Sequence, residues 1–569
     1  MFCTVLFCCG DFLSLKGKYI SGAMLLLVSG MIVKVIGAIY KIPLTSYIGT
    51  VGRGYYAFAY NLVMPLHAVT MGAFPIALSK LVSKYKAKGD LSAVYSLKKD
   101  SVKLFFAVGL VGMCVLLLCA KPYCSLVVKS PGSLYAAFAV APSLLFSCLG
   151  GAYRGYYEGC INMLPTAVSQ IIEALGKLVF GIVFSRLAFQ RLCAEFDSFQ
   201  TVMGRSVNQN DMLSAVYPYS TAAAMLGVTV ASFVSFGFLL IYSKADNQKV
   251  VCSSRKNTQG MLLSFAFPIM LSSCVQSVFQ FLDSTAVQYA LNCVRPEVLR
   301  SFYSSALSTV NVSDGELSAY AYGVLSASLD FKNLVPGVTM ALGVCAVPVL
   351  SSAYEKSDRL RFYSAFNLIL KYTMLISCLG SLVIFVCADD ALALLYGTDS
   401  RDIVIAAAPP VRAFALCACA FSLSGLFVFC VQSIGLAKKS VPSYVACGII
   451  RVVLNIVLIE NDSLLLFGSV ISSFVGYSIL AIWNFCIFVK RTKVKTDYVK
   501  SLVLPLVTEV AVLMLFSYVF PHYNLSNYAA VNLVSKTCFV TLLYLLPCFL
   551  CGMLNFRDFF RYLGYKKCR

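Results

Sequence analysis

Charge is what this chain has least of. Lys, Arg, Asp and Glu make up 12% of its 569 residues, apolar residues make up 59%, and mean hydropathy is +0.81. That balance excludes a soluble globular enzyme and indicates an all-α polytopic membrane protein whose core is the embedded bundle itself. Acids are scarcer than bases, 25 against 46, and histidine occurs only as His67 and His522. There is no P-loop, nucleophile triad, CxxC pair or Cys/His ligand cluster, so no motif announces ATP hydrolysis, a cofactor or a metal. The start, MFCTVLFCCGDFLSL, lacks the basic segment, long apolar run and small-residue cleavage site of a secretory signal, so the first helix is expected to be retained. Cysteine, by contrast, is abundant at 24. Most of it lies inside apolar stretches, where a free thiol packs as a small hydrophobe. Cys124, Cys193 and Cys293 fall in expected outer loops, and their spacing dictates no pairing.

Fourteen stretches are apolar and long enough to span a bilayer: 20–44, 54–78, 104–120, 134–153, 163–185, 218–243, 260–282, 319–350, 362–388, 405–432, 441–459, 464–489, 501–520 and 531–553. A net charge of +21 would point to nucleic acid in a soluble domain. Here it follows the loops instead. With the N-terminus inside, most Lys and Arg fall in the inner segments, including Arg154, while Asp389, Asp390, Asp399, Asp402, Glu460 and Asp462 fall outside. The positive-inside rule therefore accounts for the basicity with both termini cytoplasmic.

The charges within the spans need another cause. They are Lys34, Lys41, Lys177, Lys332, Lys371, Arg412, Arg451 and Lys536, with the acids Glu173, Asp283, Asp330 and Glu509. A basic residue at a helix centre costs roughly 2.5–3.5 kcal/mol on insertion scales, so such groups should face a bundle interior or a wet cavity. Lys371, Arg412 and Lys536 are near enough to span ends to snorkel. Glu173 and Lys177 share a helix face at i, i+4 and read as a pair. Asp330 and Lys332 lie in a span interrupted by Pro336 and Gly337, and Asp283 closes span 7. Lys34, Lys41 and Arg451 have no acid at helical spacing and read as cavity cations, with Asn455 one turn beyond Arg451. His67 and the acids Glu173 and Asp283 are candidates for ion or proton coupling.

The spans also repeat. VTMGAFPIALSKLVSKYKAKGD at 69–90 is echoed by VTMALGVCAVPVLSSAYEKSD at 338–358, and the prolines opening spans 5 and 11, Pro165 and Pro442, are offset by nearly the same distance as Pro75 and Pro348. This predicts a parallel duplication. The expected units are residues 1–258 for spans 1–6, 259–497 for spans 7–12, and 498–569 for two appended spans and a cytoplasmic tail.

At these positions the chain resembles a known family. The segments GAMLLLVSGMIVKVIGAIYKIPLTSYIGTVGRGYYAFAY, GAFPIALSK, PTAVSQIIEALGK, YGVLSASLDFKNLVPGVTMALGVCAVPVLSSAY and QSIGLAKKSVPSYVACGIIRVVLN, covering spans 1–12 in order, are similar to the stage V sporulation protein B and polysaccharide-biosynthesis branch of the MOP flippase superfamily, which also contains MurJ-type lipid II flippases. The resemblance implies two six-helix lobes forming a V around a cavity, with spans 13 and 14 making a lipid-facing groove. It implies flipping of an undecaprenyl-pyrophosphate-linked saccharide precursor across the bacterial plasma membrane by alternating access. The partners expected are that lipid-linked anion, membrane lipids and cell-wall synthesis enzymes, with no nucleic acid, and the protein is expected to act as a monomer. The sequence departs from the MurJ pattern at Lys34 and Lys41, where no Asp follows, and at Leu66 and His67, where MurJ proteins carry Arg. Two other readings compete. An organic-cation antiporter of the same superfamily would be dominated by mid-membrane acids, and a membrane glycosyltransferase would need paired carboxylates or a His/Arg cluster in a large outer loop.

Overall fold

The computed structural model describes residues 17–68, 70, 74–245, 258–397, 400–494, 496–519, 526 and 528–552. The chain start, most of the 244–256 loop, His522 and the tail beyond 552 lie outside the described residues, and with them the expectations about a leader and about both termini. The described chain is almost wholly helical. The first half holds α1 (Gly17–His67), α2 (Phe74–Ala87), α3 (Leu91–Pro122), α4 (Ser133–Gly159), α5 (Leu164–Phe199) and α6 (Met212–Ala245). A two-residue antiparallel hairpin, β1 (Thr201–Val202) and β2 (Arg205–Ser206), sits between α5 and α6. There follow α7 (Thr258–Cys293), short α8 (Pro296–Phe302) and α9 (Ser304–Leu307), α10 (Leu317–Lys332), α11 (Leu334–Glu355), α12 (Arg359–Val386), short α13 (Ala388–Tyr396), α14 (Arg401–Leu416), α15 (Ala418–Ser433), α16 (Val441–Ile459) and α17 (Leu466–Thr492). Last come α18 (Leu504–Val519) and α19 (Ala529–Leu550).

Among the described residues ten helices are long and apolar enough to cross a membrane, or twelve if each of two sharply bent pairs forms a span. The bends follow from the chain's punctuation. In α1 the segments Val28–Lys41 and Pro43–His67 meet at 73°. Pro43 cannot donate to the preceding turn, and Gly49 then takes φ 64°, a left-handed value that a side chain would resist. Expected span 1 and the part of expected span 2 up to His67 therefore lie in one sharply bent helix. Expected span 8 divides into α10 and α11 at Asn333. The ring of Pro336 would clash with the Lys332 carbonyl four residues back, so the break falls there rather than at the proline. α14 and α15 meet at 46° around Cys417.

The apolar cores show how the halves are arranged. One cluster joins Val51, Tyr55 and Phe58 of α1, Val140 and Leu144 of α4, Tyr320 and Val324 of α10, and Ile403 and Phe414 of α14. Further along α4 lies a separate core, with Leu78, Leu97, Phe105 and Tyr157, confined to the first half and the start of α7. A third, with Leu350, Phe366, Phe427 and Phe488, belongs to the second half. The halves thus share a core at one end and keep their own at the other. Backbone contact at the shared end is intimate: a Cβ at Gly54 would lie 2.2 Å from the Ala319 carbonyl oxygen, and one at Gly323 would lie 2.0 Å from that of Thr50. Only glycine permits this approach of α1 to α10. α7 spans the divide, with Leu262 in the first-half core and Phe279 against Gly448 of α16.

Candidate functional site

Three charged clusters sit inside the bundle. The first is built on α5, whose i, i+4 spacing brings Lys177 Nζ within 2.8 Å of Glu173 Oε1, as the sequence predicts. Arg154 of α4 completes it. Its guanidinium donates to Glu173 Oε2 at 2.9 Å, to Ser235 Oγ at 3.0 Å and, through Nε, to Ser169 Oγ at 2.9 Å. Arg154 was assigned to an inner loop by the charge pattern, but it is buried. The reason is packing: α4 and α5, joined by a short turn at 160–163, both lie against α6, and Arg154 meets Ser169 and Glu173 of α5 and Ser235 of α6 where the three helices come together. His67, at the end of α1, lies within the field of these three charges.

The second cluster joins the halves. Lys41 and Arg53, both of α1, donate to the two carboxylate oxygens of Asp330 near the end of α10. Arg53 also donates to Thr45 Oγ1 at 3.2 Å and lies 5.3 Å from the centroid of the Tyr396 ring. Neighbouring bonds cross the same seam: Thr50 to Asp402, Tyr55 to Glu316 at 2.7 Å and Asn61 to the Tyr322 hydroxyl at 2.7 Å. Lys41, which has no acid at helical spacing in its own span, therefore finds one in the other half of the chain. No spacing rule could find an acid 289 positions away, and Arg53, flanked by Gly52 and Gly54 in an expected loop, was missed for the same reason.

The third cluster lies in the second half. Arg451 pairs with Asp283 and bonds the Tyr477 hydroxyl at 3.2 Å, and Asn455 Nδ2 donates to Asp283 Oδ1 at 2.7 Å. Asp283 is thus inside α7 rather than at a span end, and Arg451, like Lys41, is paired. Lys332 does not meet Asp330. Residues two apart on a helix face different ways, and Lys332 instead donates to Ser473 Oγ at 3.0 Å inside a box of Phe414, Phe421 and Tyr477 whose ring centroids lie 5.1–5.9 Å away.

Lys34 differs from all of these. It is exposed, has no ion-pair partner among the described residues, and its Nζ lies 3.9 Å from where a Cβ on Gly337 would be, in the first turn of α11. The α1 chain therefore reaches the second half below the Asp330 seam. Two residues expected to snorkel are paired instead. Lys536 meets Asp390 at 2.6 Å with both side chains 12% exposed, and Arg412 meets Asp389. Cys124, Cys193 and Cys293 are free thiols, and Cys124 is buried.

The comparisons with known proteins agree with this architecture. A family described as "Polysaccharide biosynthesis protein" matches residues 20–193, and one described as "MatE" matches 298–457, one in each half. Two relatives come from Bacillus subtilis (strain 168). Stage V sporulation protein B is 21% identical over 468 residues, covering 81% of this chain and 82% of its own. Lipid II flippase MurJ is 21% identical over 500 residues, covering 84% and 83%. Among solved structures, lipid II flippase MurJ in an inward closed conformation superposes with a TM-score of 0.63 at 12% identity, over 95% of this chain and 100% of that one. An inward-facing multidrug resistance MATE family transporter superposes with 0.60 at 13% identity, over 80% and 98%. With matches in both halves, relatives along most of the length and a shared fold, the chain is a multi-pass helical membrane protein similar in sequence and fold to MurJ and MATE transport proteins.

Proposed function

We propose that the protein flips an undecaprenyl-pyrophosphate-linked saccharide, lipid II-like or a polysaccharide repeat unit, from the inner to the outer leaflet. One observation carries this reading: each interior cluster holds two cations against one acid. Arg154 and Lys177 face Glu173, Lys41 and Arg53 face Asp330, and Arg451 and Lys332 share the surroundings of Asp283, with Lys34 beyond these. A bundle interior with a formal excess of positive charge suits a pyrophosphate, while the isoprenoid tail remains in lipid and the sugar in a wet cavity. Lys34, Lys41, Arg451, Lys177 and Lys332, with Glu173, Asp330 and Asn455, are the residues assigned to the path. Glu173, Asp283 and His67 are assigned to ion or proton coupling.

The reading includes fourteen spans in two duplicated six-helix lobes with two appended helices, divided near residues 258 and 497, and both termini in the cytoplasm. Proline in the first turn of both α5 and α16 supports the duplication, as does the placing of Glu173 and Arg451 deep in those helices. On this orientation the shared core closes the outer end.

The test is depletion of the protein with readout of lipid-linked precursor on the inner leaflet, and complementation by Lys34→Ala, Lys41→Ala and Arg451→Ala. Precursor should accumulate and the variants should fail to clear it. Full rescue by all three, singly and together, sinks the cationic path. The match to the MatE family favours a second reading, an organic-cation antiporter. Dye extrusion with unchanged lipid precursors would establish it instead.

A further inference from the structure

A fourth polar cluster plays no part in this path. Cys378 in the middle of α12, Cys419 just past the α14–α15 bend and Glu509 in the second turn of α18 bring two thiol sulfurs and a carboxylate oxygen within 4.8 Å of one another, all buried. Cys378 Sγ lies 3.5 Å from Cys419 Sγ, and Cys419 Sγ lies 3.5 Å from Glu509 Oε2. We propose that these three side chains bind a thiophilic divalent cation of the zinc class, fastening the C-terminal helix pair to the second half of the bundle.

Three independent features support the site. The first is distance: on a tetrahedral ion with metal–sulfur bonds of about 2.3 Å and metal–oxygen bonds of about 2.0–2.2 Å, neighbouring ligand atoms lie roughly 3.5–3.8 Å apart. The second is charge. Glu509 is 5% exposed and has no Lys or Arg partner among the described residues, its neighbours being the Cys378 and Cys419 thiols and the Ser381 hydroxyl. Glu173 and Asp283, the buried carboxylates of the charged clusters, are held by cations, and the buried Asp402 accepts from the Thr50 hydroxyl. The third is a buried hydroxyl beside the thiols. Tyr544 of α19 is fully buried in the same apolar cluster, and its hydroxyl has only the Cys378 and Cys548 thiols near it, with no nitrogen or oxygen partner. It stands where a fourth ligand or its hydrogen-bond partner belongs. Binding requires no redox change: the cation enters, the two thiol protons leave to water, and the carboxylate coordinates as it is. The cysteines, which in sequence read only as packing residues, thereby acquire a chemical role through a helix far along the chain.

The test uses the purified full-length protein in lipid nanodiscs, stripped with chelator and titrated with Co²⁺, whose thiolate charge-transfer and tetrahedral d–d bands report the ligands. One ion per chain, displaced by Zn²⁺, is expected. The bands attributable to this site should vanish in Cys378→Ala/Cys419→Ala, a pair of small apolar replacements that keeps the helices packed. Glu509→Gln should weaken affinity by on the order of 10–100-fold or more, a loss seen even for groups one shell further out. No cobalt band in the wild type, a band that survives the double substitution, unchanged affinity in Glu509→Gln, or a Cys378–Cys419 disulfide detected by mass would each overturn the proposal.

Discussion

Replacing Asp330 with Asn should loosen the end at which the halves share a core. Asp330 serves two cations of unequal burial. The side chain of Lys41 is 38% exposed and that of Arg53 is 5% exposed. The Lys41 arm is screened by solvent and contributes about 0–1 kcal/mol. The Arg53 arm dominates, because Asn leaves a buried guanidinium without its counter-charge, a loss of about 3–5 kcal/mol for removal of one partner of a buried pair. Parting the halves would hydrate Arg53, so most of that energy falls on the closed arrangement alone. The balance between closed and open should then move by on the order of 10²–10³-fold. Hydrogen exchange of the nanodisc-held protein reads this directly, since peptides from 50–63 in α1 and 317–332 in α10 should lose protection while α5 and α6 do not. Combining Asp330→Asn with Arg53→Gln removes both charges and should restore much of the protection, a non-additivity that marks a direct pair. Wild-type protection in Asp330→Asn, or strict additivity in the double variant, would refute the assignment of this triad to closure.

Other substitutions separate packing from charge. Gly323→Val places side-chain atoms where the Thr50 carbonyl already sits, 2.0 Å from the Cβ position, and should deprotect the same peptides without altering any charge. Glu173→Gln strands the buried Arg154 and should lower the melting temperature markedly, by the equivalent of about 3–5 kcal/mol, whereas Lys177→Met, at 26% exposure, should cost far less. Asp390→Asn should likewise destabilise, because Lys536 is paired with it at 12% exposure and cannot snorkel; a melting temperature equal to wild type would return Lys536 to the interface role. Lys332→Met should be neutral or stabilising by up to about 1–4 kcal/mol, since this buried amine bonds one serine inside a box of aromatic rings and makes no direct ion pair among the described residues. Loss of transport in that variant with stability retained would mark Lys332 as a substrate contact.

The sequence made the bilayer class, most spans and one ion pair legible because those features are local. Hydropathy needs only a window of some twenty residues, and Glu173–Lys177 needs one helical turn. What stayed hidden was every contact closed over a long stretch of chain. Asp330 looked like a neighbour of Lys332 but faces α1, Asp283 looked like a span end but anchors Arg451, and Arg53 and Arg154 looked like loop cations. The proline signals were right in kind and displaced in position, since Pro336 breaks the helix at Asn333, where its clash falls. Charge pattern alone assigns a residue to water whenever it lies near a turn; only packing decides whether that turn is covered.

These pairings also recast what an interior cation can do in a transporter. Were Lys41 and Arg53 free in every arrangement, an anion would bind both arrangements alike and shift neither. Held by Asp330 while the shared end is closed, they would on the proposed function be released when it opens, so that an anionic headgroup would compete with Asp330 and bind the open form better. Differential affinity of that kind is the only means by which a cargo can drive the halves apart. On the proposed function and orientation Lys34, beside the first turn of α11 and without an ion-pair partner among the described residues, would receive the headgroup from the inner side while the outer end is still closed. On that reading Asp330 would then give up its cations as the headgroup advances. A flippase built this way needs its acids as much as its cations: Asp330→Asn should impair transport even though it makes the path more positive.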